Sequence, residues 1–183
     1  MVLPTSPKAT TSVQVVVRLR PLNEREKKHG TLPVVSASTA DRKVTVIKGT
    51  GSRQVKSSYK FDNIFTAFSS QEDVFEATLK PVIRDVLMGF ESTVFAYGQT
   101  GTGKTHTMEG DLSDPQQHGV IPRSAAAIFE ALKNPEYTDT NIYCSFLEIY
   151  NEQLSDLLVE DPGVNRKRPK LDIVEGKNGP FCR

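Results

Sequence analysis

Residues 92–110 read STVFAYGQTGTGKTHTMEG, and this stretch decides the fold. Within it, residues 98–105 satisfy the spacing G-x-x-x-x-G-K-[ST], which is typical of a loop around nucleotide phosphates when a buried strand precedes it and a helix follows it. Residues 93–97 form a short β-branched and aromatic run, which predicts a strand buried on both faces of a parallel sheet. A short helix is predicted to begin at Lys104, because no helix breaker occurs before Gly110.

Each residue of this loop has an expected role. The glycines let the backbone adopt conformations closed to other residues, so that phosphate oxygens can approach the N–H groups. Lys104 is expected to reach the β- and γ-phosphates, and the Thr105 hydroxyl is the expected Mg²⁺ ligand. The predicted binding set is Gly98, Gln99, Thr100, Gly101, Thr102, Gly103, Lys104 and Thr105. The alternative is a glycine-rich surface turn with a solvated lysine, which would not explain the buried strand before it.

A helix is predicted over Gln71–Leu87, where apolar residues recur at the spacing of one helix face. Ser69 and Glu72 are a possible capping box at its start, and Gly89 can close its end. Pro81 is expected to kink or split this helix, because it lacks the N–H that a helix interior needs.

Other segments complete an α/β pattern. The predicted strands are residues 13–19, Lys43–Lys48, 56–61 and 141–150, with a turn at 49–52. Pro122 suits the first turn of a helix that continues over residues 125–133, whereas Leu154, Leu157 and Leu158 fit a short helix. Glu148 is interpreted as a structural or rim carboxylate in preference to a catalytic one. Strands mixed with helices favour a layered sheet flanked by helices, of the P-loop NTPase type.

The composition sets limits on the class of protein. The chain has 183 residues, of which 37% are hydrophobic and 25% are charged, and this is enough for the core of one domain. Its net charge is +1, so no overall electrostatic field favours binding to nucleic acid or to a membrane. Cys144 and Cys182 are interpreted as reduced thiols of an intracellular protein. Residues 1–11 are rich in Pro, Ser and Thr, and a disordered leader is predicted there, with one domain over residues 12–183.

Five segments, in order, resemble the motor domain of kinesins over nearly the whole chain. They are VQVVVRLRPLNERE (13–26), YKFDNIF (59–65), FAYGQTGTGKTHTMEG (95–110), GVIPRS (119–124) and FLEIYNEQLSDLL (146–158). The amino-acid sequences of the third and fifth segments look most like those of the mitotic kinesin-5 group. A GTPase would normally carry N-K-x-D to read guanine, and the sequence contains none.

The resemblance implies a ligand, a partner and a location. It implies that ATP binds with Mg²⁺, with the adenine between Arg18 and Pro21 on one side and His106 on the other. It implies microtubules as the partner, oligomerisation through other regions, and a cytoplasmic, cytoskeletal location that includes the mitotic spindle. The basic residues Arg166, Lys167, Arg168 and Lys170 fall in the loop that faces acidic tubulin in the family. A merely solvated loop and a nuclear-import patch are the alternatives for this run.

The sequence also departs from the family pattern. It contains no N-x-x-S-S-R-S-H segment, which senses the γ-phosphate, and no D-x-A-G segment, which completes the Mg²⁺ site. We therefore expect a motor domain truncated at its C-terminal side, with no catalytic residue of its own and no turnover by this chain alone. The other two possibilities are another P-loop NTPase and a non-hydrolysing nucleotide-binding or interaction module.

Overall fold

The structure is a computed structural model that describes residues 13–30, 32–159, 171–177 and 179–182. It divides into two compact units, Met1–Asn134 and Pro135–Arg183. The leader predicted at residues 1–11 lies outside the described residues.

The first unit contains both strands and helices. Its elements are β1 (Val16–Arg18), α1 (Glu24–Lys28), β2 (Val35–Ser38), β3 (Lys43–Lys48), β4 (Val55–Lys60), β5 (Asn63–Phe65), α2 (Gln71–Leu87), α3 (Lys104–Met108) and α4 (Val120–Ala131). Short 3₁₀ turns occupy Gly51–Arg53 and Pro115–Gln117. The helix predicted from Pro122 onwards is confirmed. It runs over Val120–Ala131 and therefore ends before the predicted residue 133.

Strands β1 and β5 form a parallel pair beside α2. Val17 lies opposite Ile64 and Arg18 opposite Phe65, and the N–H of Leu19 donates to the Phe65 carbonyl at 2.8 Å. The strand predicted over residues 13–19 is therefore shorter than expected, because the pairing covers Val16–Arg18 only. This pairing brings the end of β1 next to the start of α2.

Strands β2, β3 and β4 form an antiparallel meander. The prediction of a strand at Lys43–Lys48 is confirmed, and Val44 on it is buried. The strand predicted over residues 56–61 is shifted by one residue, and the turn predicted before it overlaps the first 3₁₀ turn.

Helix α2 has the predicted bounds, but its cap differs from the prediction. The Ser70 side chain accepts from the Asp73 N–H at 3.0 Å while the Asp73 carboxylate accepts from the Ser70 N–H at 2.8 Å. The Ser69 hydroxyl instead accepts from the Thr66 N–H, so the predicted pair of Ser69 and Glu72 is wrong. Pro81 lies inside the helix without splitting it.

The core of the first unit lies between α2, α4 and β5. Phe65, Val74 and Val120 form a cluster of buried residues there, and Leu79 and Met108 pack against it. Because Met108 belongs to α3, this packing holds the helix that follows the glycine-rich loop against the core.

The strand predicted over residues 93–97 is not formed. Phe95 and Tyr97 are 76% and 96% exposed, so this run is not buried either. A strand exists through hydrogen bonds to a neighbour, and within the described ranges no strand pairs with these residues. Of the strand predicted over residues 141–150, only the last part, Leu147–Tyr150, pairs with a partner. The apolar, β-branched composition of these two segments favours a strand, but a strand also needs a neighbouring strand to pair with.

The described residues of the second unit include two hairpins. They pair β6 (Leu147–Tyr150) with β7 (Gln153–Asp156), and β8 (Ile173–Gly176) with β9 (Gly179–Cys182). The short helix predicted from Leu154, Leu157 and Leu158 is wrong, because Leu154 lies on β7 opposite Ile149. The hairpin turn explains this, since Asn151 and Glu152 both have positive φ, at 48° and 59°, and reverse the chain in two residues.

No helix in the described ranges is long and apolar enough to span a bilayer.

Candidate nucleotide-binding site

The glycine-rich loop closes on itself before α3 begins. The Thr102 N–H and hydroxyl both donate to the Gln99 carbonyl, at 3.3 and 2.7 Å. Gly103, the N-cap of α3, has a φ of 95°, which favours glycine over other residues. A Cβ on Gly98 would lie 2.6 Å from the Thr102 hydroxyl oxygen, so a side chain there would force the loop open.

Lys104 reaches back over this loop. Its Nζ donates to the carbonyl oxygens of Gly98 and Gln99, at 2.8 and 3.0 Å. The ammonium group therefore lies on the loop side of α3, while the side chains of Thr105 and His106 are exposed on the first turn of the helix. The ammonium group of Lys104 thus lies next to the loop backbone that the motif predicts to bind an anion.

A cavity of about 380 Å³ connects this loop with the end of β1. A volume of this size is in the range of small-molecule sites. Its lining includes Arg18, Pro21, Thr102, Gly103, Lys104 and His106. The cavity brings the three residues proposed for the base together with the last part of the phosphate loop. Gly98, Gln99, Thr100, Gly101 and Thr105 belong to the same loop and helix start but do not line the cavity.

Arg18 is oriented by two hydrogen bonds. Its Nη1 donates to Gln71 Oε1 at 2.7 Å and to Thr107 Oγ1 at 3.0 Å. Partial burial lowers the pKa of this guanidinium from its ordinary value. Arg18 is consequently held as a wall of the cavity, and is not a solvated strand end.

Arg20 connects α1 to the phosphate loop. Its Nε donates to the Gly101 carbonyl at 2.8 Å, and its two terminal nitrogens contact the Glu26 carboxylate at 2.7 and 2.6 Å. Glu26 also completes the capping box of α1 with Asn23. Hydrogen bonding to Arg20, together with the Asn23 N–H, lowers the pKa of Glu26 from its ordinary value to about 2.

Sequence reasoning missed the roles of Arg20, Glu26 and Gln71. The spacing of Asn23 and Glu26 is that of a capping box and could have placed Glu26 in the first turn of a helix. Gln71 carries no comparable signal, because a glutamine at a helix start is ordinarily exposed. It is 3% exposed, and its Nε2 donates to the carbonyls of His106 and Gln117 at 2.7 and 3.0 Å.

The family model described as the kinesin motor domain matches residues 18–182. This chain belongs to the kinesin motor domain family. The kinesin-like protein KIN-5A of Oryza sativa subsp. japonica is 37% identical over 186 residues, which cover 94% of this chain and 18% of that protein. The kinesin-like protein KIF11 of Mus musculus is 40% identical over 181 residues, covering 94% of this chain and 17% of that protein.

The fold comparison agrees with the sequence comparison. A solved structure of a fast kinesin, described for its ATPase mechanism and interactions with microtubules, matches with a TM-score of 0.77 at 36% identity. The match covers 94% of this chain and 46% of that one. The chain therefore has the P-loop NTPase-like fold of kinesin motor domains, and it spans less than half of that structure. The resemblance to the kinesin-5 group is confirmed by these relatives.

Two further sequence predictions concern the basic run and Glu148. The basic residues Arg166, Lys167, Arg168 and Lys170 lie outside the described residues, so their contact with tubulin stays a prediction. Glu148 is exposed on β6 opposite Ser155, in the second unit.

Proposed function

We propose that this chain binds Mg·ATP, and that ATP hydrolysis drives movement along microtubules in the whole protein. The phosphates bind at the loop formed by residues 98–105, and the adenine binds between Arg18 and Pro21 on one side and His106 on the other. The observation that carries this proposal is the cavity of about 380 Å³, which is lined by residues of both groups.

The phosphate end has the chemistry that a polyanion requires. Lys104 supplies a full positive charge next to the loop backbone, and charge-assisted hydrogen bonds are about twice as strong as neutral ones. Its present acceptors, the carbonyls of Gly98 and Gln99, are neutral. Phosphate oxygens are therefore stronger acceptors for the same ammonium group.

The end of the cavity proposed for the adenine offers flat surfaces for stacking and not directional hydrogen-bond partners. The guanidinium of Arg18 is planar and is fixed by Gln71 and Thr107, and the Pro21 ring adds an apolar surface. The imidazole of His106 provides a π-face on the other side. These groups favour a stacked base.

The residues present also fit a bound Mg²⁺ ion. Mg²⁺ commonly takes one or two protein oxygens and completes its coordination with phosphates and water. The Thr105 hydroxyl, exposed at the start of α3, would hold it, and the metal would neutralise phosphate charge when bound. No cluster of three His, Cys, Asp or Glu suited to a metal occurs within the described ranges.

The motor role rests on relatives. KIN-5A and KIF11 are kinesin-like proteins, and the matched fast kinesin is described by its ATPase mechanism and its interactions with microtubules. We extend these properties to the whole protein that contains this chain, with residues 12–183 as part of its motor domain. Microtubules are then the partner and the cytoskeleton is the location.

Titration calorimetry of the 183-residue chain with ATP, in the presence and absence of Mg²⁺, tests the proposal. We expect Mg²⁺ to strengthen ATP binding by the parent chain, and Thr105→Val to remove most of this enhancement. Thr50→Val is the matched control, because Thr50 is exposed, makes no capping hydrogen bond with its side chain, and lies outside the phosphate loop and the cavity lining. An equal loss of the enhancement in both variants would exclude Thr105 as the metal ligand, and absence of ATP binding by the parent would refute the proposal.

A turnover assay separates binding from hydrolysis. Hydrolysis needs a positioned water and groups that stabilise charge on the γ-phosphate, and the sequence contains neither S-S-R-S-H nor D-x-A-G. We therefore expect no microtubule-stimulated phosphate release from this chain by itself. Stimulated release would show that the groups needed for hydrolysis lie elsewhere in the 183 residues.

A further inference from the structure

Gln71 is the most deeply buried polar residue in the described part of the chain, at 3% exposure, and it lines the proposed nucleotide cavity. It occupies the first position of α2, where its backbone N–H needs no partner within the helix. Its side chain, however, makes three hydrogen bonds to residues distant in sequence. A buried polar side chain with every contact directed at the walls of one cavity points to a role in that cavity.

The three bonds require a carboxamide. Oε1 accepts from Arg18 Nη1 at 2.7 Å, and Nε2 donates to the carbonyls of His106 at 2.7 Å and Gln117 at 3.0 Å. An arginine only donates and a backbone carbonyl only accepts, so the partner between them must do both. Glutamate could satisfy Arg18 but would turn a negative oxygen towards two carbonyls. Leucine would satisfy none of the three groups.

We infer that Gln71 is a positioning residue for the base end of the nucleotide pocket, an inference that rests on the proposed function. It fixes the Arg18 guanidinium from one side. Through the His106 carbonyl it fixes the α3 turn that carries the imidazole on the other side. The separation between the two faces that would enclose the base therefore depends on the Gln71 side chain, together with the hydrogen bond from Arg18 to Thr107.

The consequence is a selective effect on the base. Removing the Gln71 carboxamide leaves the hydrogen bond from Arg18 to Thr107 in place and releases the His106 carbonyl. Lys104 keeps its contacts with Gly98 and Gln99, since neither involves Gln71. Binding of the base should weaken while binding of a bare polyphosphate should not.

The experiment compares Mg·ATP with Mg·tripolyphosphate, which has the phosphates but neither base nor ribose. Dissociation constants are measured by calorimetry for the 183-residue chain, for Gln71→Leu and for Gln71→Glu. We expect the preference for ATP over tripolyphosphate to fall about tenfold in Gln71→Leu, the effect of losing a hydrogen bond to a charged group. Gln71→Glu, which keeps the contact with Arg18, should show a smaller fall.

Thr78→Val is the matched control. Thr78 is 7% exposed in the same helix and does not line the cavity, and its hydroxyl donates to the Val74 carbonyl of that helix. Its preference for ATP should equal that of the parent. An equal fall in this control, or an unchanged preference in Gln71→Leu, would overturn the positioning role while leaving the proposed function standing.

Two further outcomes are decisive. If Gln71→Leu does not fold, Gln71→Glu decides the question, and failure of both variants to fold would assign Gln71 a purely structural role. If the parent binds neither ligand, the proposed function fails and the inference falls with it.

Discussion

The side chain of Arg20 donates from Nε to the carbonyl oxygen of Gly101 at 2.8 Å. These residues are separated by 81 positions in the chain. The contact connects the segment after β1 directly to the phosphate loop. Because the same guanidinium is held by Glu26, the geometry of the loop depends on the ion pair between Arg20 and Glu26.

This ion pair predicts a pH dependence of stability. The pKa of Glu26 is lowered from 4.5 to about 2 in the folded chain, so its stabilising effect is fully present above pH 4.5 and is lost as the pH falls towards 2. Urea denaturation should show Glu26→Gln less stable than the parent at pH 6. The difference between them should be lost as the pH falls through about 2.

Glu130→Gln is the control for this series. Glu130 pairs with Lys133 on the surface of α4, and both side chains are more than 70% exposed. Such a pair contributes roughly 0–1 kcal/mol, so this variant should stay close to the parent throughout. A Glu26→Gln variant as stable as the parent at pH 6 would contradict the assignment of Glu26.

The second prediction concerns Lys104. Its ammonium is the full positive charge of the loop, and charge-assisted contacts are worth about 1.5–3 kcal/mol each. Lys104→Ala should weaken Mg·ATP binding at least about tenfold while the circular dichroism spectrum stays that of the parent. Fluorescent ATP titration measures the loss. Lys80→Ala is the control, because Lys80 pairs with Glu76 on the surface of α2 and lies outside the cavity lining. Equal affinities for Lys104→Ala and the parent would refute the phosphate role.

The third prediction concerns the choice of base. A pocket formed by Arg18, Pro21 and His106 binds by stacking and offers few hydrogen bonds to a base edge. Sites that hydrogen-bond an edge group reject analogues by factors of about 10⁴–10⁵, whereas stacking tolerates different bases. ATP should therefore be preferred over GTP by less than about a thousandfold in a competition titration. A larger preference would require an edge-reading residue in the pocket.

The fourth prediction concerns the turn between β6 and β7. Asn151 and Glu152 both have positive φ, the geometry of a type I′ turn, in which glycine is preferred at the second position. Glu152→Gly should stabilise the hairpin by about 0.5–1 kcal/mol, because it removes the steric cost of a left-handed glutamate. Hydrogen exchange of the hairpin amides measures this. Glu152→Ala keeps the Cβ and should give no gain, and a gain of equal size would show that the turn carries no such strain.

Local features were predictable from the sequence. The bounds of α2 follow from its apolar spacing, and β3 follows from alternation over Lys43–Lys48. The phosphate loop follows from the positions of Gly98, Gly103 and Lys104. Each of these depends on residues within one or two turns of each other, so the pattern that determines them is contained in a short window.

Other features depended on which segments meet. Residues 93–97 have a high strand propensity, yet no strand of the described ranges pairs with them, and the propensity alone did not form a strand. Leu154 fits either a helix face or a strand, and the left-handed turn at Asn151 and Glu152 decided for the hairpin. In both cases the deciding interaction is a backbone hydrogen bond or a dihedral angle, which composition does not encode.

The sequence by itself determined the family, the phosphate loop and the residue types available for a nucleotide. Only the tertiary structure decided how they are held, through Arg20 on the Gly101 carbonyl and Gln71 between Arg18 and His106. The physical reason is that hydrogen bonds form between groups that are close in space, whatever their separation along the chain. Residues 18, 71 and 106 lie far apart along the chain, and the folding of β1, α2 and α3 around one core brings them within 3 Å of their partners.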